Sequence, residues 1–260
     1  MWDPAVYGRF GDERSRPFFE LVGRIPVEAP KQVVDLGCGP GTLTATLADR
    51  WPGALIRGID SSREMIDVAG ALGAPVDFAV GDIRDWTPSP GVDVVVSNAA
   101  LQWVPGHEAL LRRWAEVLPA DSWLAFQVPG NFAAPSHTAL YEVARSAPFR
   151  ERLQAVLPRP SALDAASYAH LLTRAGCAVD AWETTYVHQL PGSAADHPVL
   201  AWLEGTALRP VKAAFDADEA GWTAYRAALG ERLAEVYPVR DGRVYFPFRR
   251  IFVVARTAAA

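Results

Sequence analysis

Two acids and three glycines carry the most specific chemistry in this sequence. In Asp35-x-Gly37-x-Gly39-x-Gly41 the glycines follow the apolar pair Val33-Val34 and precede a helical pattern from Thr42 to Arg50. Glycines placed there permit a tight turn and let the backbone approach a ligand closely. The N-terminus of the following helix then offers unpaired N–H groups. A dinucleotide site spaces its glycines G-x-G-x-x-G, whereas here the third glycine comes four positions after the first. Asp35, at the end of the strand, would serve a second phosphate poorly and suits a cationic group such as an amine. Asp60 lies 21 positions past Gly39, where an acid typically bonds ribose hydroxyls, and Ser61 shares its edge of the site. Gly81-Asp82-Ile83 follows a third strand, with Asp82 placed to bond an adenine amino group and Ile83 to pack on the ring.

A fourth strand ends in Ser97-Asn98-Ala99-Ala100-Leu101-Gln102-Trp103. Ligands bind at the carboxyl ends of parallel strands, so Asn98 and Ala99 are expected to line the cleft. Trp103 has two readings, cation–π cover for a bound cation or plain core. Cys38 reads as a small filler in the glycine loop, and His107 as a residue that starts a helix. Ser61 or Ser62 can cap the helix after Asp60.

The elements that position these residues alternate. Strands are predicted at 33–35, 55–60, 76–80, 92–97 and 123–128, with helices at 42–50, after Ser62 and at 107–118. This alternation implies right-handed crossovers and a parallel, doubly wound α/β sheet. A helix is predicted at 164–175 and the last two strands at 179–186 and 251–254. Between those strands, residues 189–247 read as a helical cap.

With 260 residues the chain suffices for one large α/β domain with an inserted cap. Its formal net charge is −5, and Lys31 and Lys212 are the only lysines among 25 basic residues, which form no run. A nucleic-acid partner is therefore not suggested. Arg suits bidentate contact with carboxylates. Cys38 and Cys177 form neither a disulfide framework nor a metal cluster. No apolar stretch reaches membrane-spanning length and no signal peptide opens the chain, so a cytoplasmic, metal-free protein without a membrane partner is expected.

Together the glycine turn and the acids after it resemble the class I S-adenosylmethionine-dependent methyltransferases. A closer likeness lies in Trp2-x-Pro4-x-x-Tyr7, Arg14-Ser15-Arg16-Pro17, Leu101-Gln102-Trp103, Ala175-Gly176-Cys177, Trp182-x-Thr184-Thr185-Tyr186, His188-Gln189-Leu190-Pro191, Gly205-Thr206-x-Leu208-Arg209-Pro210 and Phe248-x-Arg250-x-Phe252. These segments, spread over nearly the whole chain, look like the trans-aconitate 2-methyltransferase family. The resemblance implies a mostly parallel seven-stranded, Rossmann-like sheet in a single domain. Residues 1–30 would form a helical lid, 31–128 the cofactor half, and 129–260 the acceptor half with its cap. It implies methyl transfer from S-adenosylmethionine to a carboxylate of trans-aconitate or a similar small polycarboxylic acid, leaving S-adenosylhomocysteine.

A carboxylate is ionised at neutral pH, so no catalytic residue is required beyond positioning by Trp103 and Tyr186. Arg209, His188, Tyr186, Asn131, Arg14 and Trp103 are the acceptor-binding candidates. Tyr7 would contact the cofactor, closing over it with Phe10. Nucleic-acid amine methyltransferases carry an Asn or Asp followed by two prolines and an aromatic residue, which Asn98-Ala99-Ala100-Leu101 does not match. Three other readings remain open: a phenol or amine methyltransferase with His107, His137 or His188 as base, a nicotinamide oxidoreductase, and a noncatalytic cofactor-binding module.

Overall fold

The computed structural model describes residues 11–157, 162–193 and 196–259, with side chains from residue 15 on. In chain order the elements are α1 (Gly11–Gly23), β1 (Gln32–Leu36), α2 (Thr42–Arg50), β2 (Leu55–Asp60), α3 (Arg63–Gly70), β3 (Asp77–Val80), β4 (Val94–Asn98), α4 (His107–Val117) and β5 (Trp123–Pro129). There follow α5 (Pro135–Arg145), α6 (Arg150–Leu153), α7 (Ala165–Arg174), β6 (Ala178–Pro191), α8 (Pro198–Glu204), α9 (Arg209–Phe215), α10 (Glu219–Val236) and β7 (Arg243–Arg256). They fall into two compact units. One comprises the described residues of Met1–Pro129, Ser161–Thr184 and Arg250–Ala260; the other comprises those of Gly130–Pro160 and Thr185–Arg249.

The seven-stranded sheet runs in the order β3-β2-β1-β4-β5-β7-β6. β1 to β5 are mutually parallel, and β7 runs antiparallel to β5. The strand order reverses between β1 and β4, where an open α/β sheet leaves its ligand crevice at the carboxyl ends. Asp35, Asp60 and Asn98 stand at those ends of β1, β2 and β4. Val33, Leu36, Val94, Val95, Val96, Leu124 and Phe126 are fully buried, as expected of strands covered on both faces.

Local signals fix the helix starts. Ser62 accepts the N–H of Met65 at 3.3 Å and caps α3, and Asp164 accepts that of Ser167 at 2.7 Å and caps α7. Gly41, at φ 76°, precedes α2 with no capping side chain, so the first-turn N–H groups face the glycine loop.

The last two strands differ from expectation. Each is 14 residues long, so the stretch 189–247 begins and ends as strand, and its helices occupy only 198–236. In β7, Val244, Phe246 and Phe248 are buried and alternate with exposed Arg243, Tyr245 and Pro247, a period-two pattern. Pro247 lacks an N–H for a ladder and so reads in sequence as a break, which hid the strand.

In the second unit the core gathers around Trp202, Tyr225 and Phe246. The Tyr225 hydroxyl donates to the Leu140 carbonyl at 3.2 Å, tying α10 to α5. No helix among the described residues is long and apolar enough to cross a membrane.

Candidate functional site

The glycine loop is held by β2. Gly37 and Cys38 donate their N–H groups to the Ile59 carbonyl at 2.8 and 3.1 Å. Asp60 accepts Gly39 N–H on Oδ2 and Ser62 N–H on Oδ1, both at 2.9 Å. The carboxylate singled out for a ribose thus also clamps the loop to the next helix. Each oxygen keeps a second lone pair for a ligand, and Asp60 is half-buried. Replacing Asp60 with Ala removes acceptor and clamp together. Affinity for S-adenosylhomocysteine is expected to fall by about 1–3 kcal/mol, measured by titration calorimetry; unchanged affinity would remove Asp60 from the site.

Gly37, Gly39 and Gly41 all have positive φ, at 81°, 55° and 76°. They serve different ends. A Cβ on Gly37 would stand 2.3 Å from Ala100 Cβ, and one on Gly41 would stand 2.7 Å from Ala69 Cβ and from the Phe78 ring. At Gly39 nothing lies within 4 Å, so that glycine faces open space. Ala99, at the end of β4, is itself left-handed with φ 54°, a conformation an alanine adopts only where surroundings impose it. The turn it makes brings Ala100 against Gly37.

Asp35 is 2 % exposed. Its Oδ2 accepts the Thr44 hydroxyl at 2.6 Å, while Oδ1 is buried without a hydrogen-bond partner. Burial carries its pKa from 3.8 up to about 7; the Thr44 bond pulls it back, and the nearby Asp60 charge adds to the rise. A buried carboxyl with one unused oxygen is a poised acceptor for a cationic donor.

Asp82 forks to the Arg84 guanidinium at 2.5–3.0 Å, and this contact lowers its pKa. The pair is largely exposed on the Arg side, so it is weak and exchangeable. Ile83 is buried beside Gly37. Ser61 is exposed. Cys38 is buried and its thiol is pushed up by burial, which suits a filler. Trp103 is 42 % exposed in the short 3₁₀ turn Leu101–Trp103, which excludes the core reading.

Two residues of this unit had been given no role in the site: Gln127, and Arg250, which was noted only within a segment shared with the family. Gln127, fully buried in β5, donates to Asn98 Oδ1 at 2.6 Å and accepts from Arg250 Nη1 at 3.5 Å. The signal was an isolated polar residue in an apolar strand: Gln127 inside 123–128, and Arg250 between Phe248 and Phe252.

His107 lies at the start of α4, fully buried. Its Nε2 meets the Tyr168 hydroxyl at 2.7 Å and its Nδ1 the Val104 carbonyl at 3.2 Å. Both ring nitrogens are committed, so His107 is no general base.

In the second unit His188 stacks on Trp202, centroids 4.5 Å apart, with Tyr186, Phe246 and Phe248 around it. Both His188 and Tyr186 are buried. Arg209 opens α9, half-buried. The Asn131 side-chain amide donates to the Arg249 carbonyl and its oxygen accepts the Arg249 N–H, both at 2.9 Å; the group is occupied in fixing that strand. His137 is buried against Phe132 and Tyr141, and burial drives its pKa down to about 4. Tyr7 and Phe10 lie outside the described residues, and of Arg14 only the backbone, in α1, is described.

Residues 33–121 match the model of a methyltransferase domain family. The trans-aconitate 2-methyltransferase of Rhodococcus jostii is 55 % identical over 98 % of this chain and 99 % of its own. That of Mycobacterium tuberculosis is 51 % identical over 100 % of this chain and 98 % of its own. The chain belongs to the trans-aconitate 2-methyltransferase family. Among solved structures, YcgJ of Bacillus subtilis superposes with a TM-score of 0.61 at 13 % identity, covering 96 % of this chain and 100 % of that one. Phosphoethanolamine N-methyltransferase 2 of Haemonchus contortus, in complex with S-adenosylmethionine, gives 0.54 at 14 %, covering 94 % and 53 %. These two share the fold.

The residues of this family member fit the cofactor its class implies. Asp35 keeps a buried oxygen for a cation, Gly39 leaves space for a ligand against the backbone, and Asp60 presents a carboxylate beside it. Among the described residues no group of three or more His, Cys, Asp and Glu side chains could hold a metal.

Proposed function

We propose that this chain transfers the methyl group of S-adenosylmethionine to a carboxylate of trans-aconitate or a similar small polycarboxylic acid. The observation that carries the reading is family membership over almost the whole chain, at 55 % identity to a relative of that name. When bound, the cofactor supplies a methyl carbon made electrophilic by its sulfonium. Asp35 receives the amino group, Asp60 the ribose hydroxyls, Asp82 and Ile83 the adenine, and the Gly37–Gly41 turn admits the ligand to the backbone. Ser61, Asn98, Ala99 and Tyr7 complete the cofactor set.

An acceptor carboxylate is already an anion at neutral pH. The chain therefore has only to bind and align it, which is where near-attack geometry lowers the barrier. Trp103 and Tyr186 are the positioning aromatics. Arg209, His188 and Arg14 supply cationic or donor groups to the acid, whereas the Asn131 side chain is taken up by the Arg249 backbone.

A phenol or amine acceptor would need a base. His107 is locked between Tyr168 and Val104, and His137 stays neutral under burial. The saturating rate is accordingly expected to stay level between roughly pH 6 and 8, since the carboxylate stays ionised above about 4. A steep loss of rate below about pH 6 would instead assign a histidine base and a phenol or amine acceptor.

A further inference from the structure

Asn98 is the last residue of β4 and is half-buried. It pairs with Gln127 across the β4–β5 ladder, and Gln127 pairs in turn with Phe252 of β7. Paired residues share a face of the sheet, as do residues two apart on one strand. Asn98, Gln127 and Arg250 therefore lie on one face.

The chemistry of these side chains sets which way each amide turns. A guanidinium has donors and no acceptor. Arg250 Nη1, 3.5 Å from Gln127 Oε1, therefore takes the carbonyl end of that amide. Gln127 is left to meet Asn98 with its Nε2, which donates to Asn98 Oδ1 at 2.6 Å. An Asn98 oxygen held in this way leaves both N–H donors of Nδ2 for another partner. Among the described residues Nδ2 has no acceptor, and it is not sealed from solvent either.

The place of this amide decides its ligand. In the sheet order β3-β2-β1-β4-β5-β7-β6, the acids assigned to the cofactor belong to β1, β2 and the turn after β3. All of them fall on one side of β4, whereas the Asn98 side chain is tied to β5 on the other side. In-line displacement brings the acceptor to the methyl from the side opposite the sulfur, so cofactor and acceptor meet at the border of the cofactor half. Asn98 stands at that border, at the carboxyl end where such sheets bind ligands. Two N–H donors suit an anionic oxygen and do not suit an amine or a sulfonium.

We propose that the Asn98 side-chain amide donates to a carboxylate of the acceptor acid, with Gln127 as the positioning residue that keeps its N–H groups turned outward. The inference deepens the function proposed above and rests on the acceptor being a small polycarboxylic acid. The cofactor then meets Asn98 through the backbone at the end of β4.

The test is titration of the full chain, saturated with S-adenosylhomocysteine, with trans-aconitate. Asn98→Asp keeps an acceptor for Gln127 Nε2 and nearly the same shape, but puts an anionic oxygen where the N–H donors were. It is expected to weaken binding of the acid roughly 10- to 100-fold, with S-adenosylhomocysteine affinity as in wild type. Gln127→Glu keeps an acceptor for Arg250 and has no N–H to give. The Asn98 amide should then turn round and present its oxygen outward, weakening the acid roughly tenfold, again at unchanged S-adenosylhomocysteine affinity.

Acid binding unaltered in Asn98→Asp would overturn the proposal, and acid binding unaltered in Gln127→Glu would overturn the positioning role. A parallel loss of acid and S-adenosylhomocysteine binding in both Asn98→Asp and Asn98→Ser would also overturn it, because the amide would then serve the cofactor or the fold. A wild-type chain that binds S-adenosylhomocysteine and no polycarboxylate would overturn the acceptor reading itself, and this inference with it.

Discussion

Gly37→Ala is expected to cost the protein both stability and ligand, whereas Gly39→Ala costs chiefly the ligand. Both glycines are left-handed, so any side chain pays about 1–2 kcal/mol in backbone strain. At Gly37 the new methyl would also stand 2.3 Å from Ala100 Cβ, and the β4 turn would have to shift. Overpacking of this kind adds about 1–3 kcal/mol. Gly37→Ala should therefore lower the melting temperature by about 5–15 °C and push Ala99 and Asn98 away from the crevice. At Gly39 the space beside the backbone is open, so only the backbone strain applies to the free protein. If that space is where S-adenosylmethionine lies, the added methyl meets the ligand, and affinity should drop at least about tenfold while the melting temperature falls by only about 3–6 °C. Melting curves with and without S-adenosylhomocysteine separate the two effects. Equal ligand-induced shifts in wild type and Gly39→Ala would show that the loop is not the cradle.

Asp35→Asn is expected to remove the pH dependence of cofactor binding. The folded-state pKa of Asp35 is raised, from 3.8 to about 7, mainly by burial. A raised carboxyl favours folding fully only below its unfolded value, and that contribution is lost as pH climbs through about 7. The free protein should thus lose up to about 4 kcal/mol between these limits, and the Asn variant should lose far less. A cationic amino group favours the ionised carboxylate, so cofactor affinity in the wild type should rise as pH passes about 7, with a proton released on binding below that point. In Asp35→Asn the affinity should be roughly 10- to 100-fold lower above pH 7 and level across it. Titration calorimetry in buffers of different ionisation enthalpy reads both quantities. A wild-type affinity independent of pH would take Asp35 out of contact with the cation.

The cofactor side was legible because its signals are local. Asp35, Gly37, Gly39 and Asp60 owe their meaning to position after an apolar strand and before a helix, and strand-helix alternation can be read over a few residues. What the spacing could not reveal was that Asp60 spends part of its carboxylate on Gly39 and Ser62, or that Gly37 makes room for Ala100. Those contacts join residues far apart in sequence.

The rest was less legible for the same reason. β6 and β7 pass the expected boundaries; in β7 Pro247 reads as a break, and the alternation of Val244, Phe246 and Phe248 is visible only once a buried face is known. Gln127 was read only as part of the strand at 123–128, and Arg250 only as part of a segment shared with the family. Their pairing depends on the antiparallel return of β7 beside β5, which no local pattern specifies. Asn131 was expected to bind the acceptor, and its side-chain amide is instead bonded at both atoms to the Arg249 backbone.

The most direct test of the account is incubation of the purified chain with methyl-labelled S-adenosylmethionine and a panel of polycarboxylic acids, phenols and amines, with products resolved by mass. The expected result is label in a polycarboxylic acid, trans-aconitate foremost, that has gained one methyl in place of a proton, together with an equal amount of S-adenosylhomocysteine. Label recovered only in a phenol or an amine, or S-adenosylmethionine left intact with every acid although it binds, would contradict it.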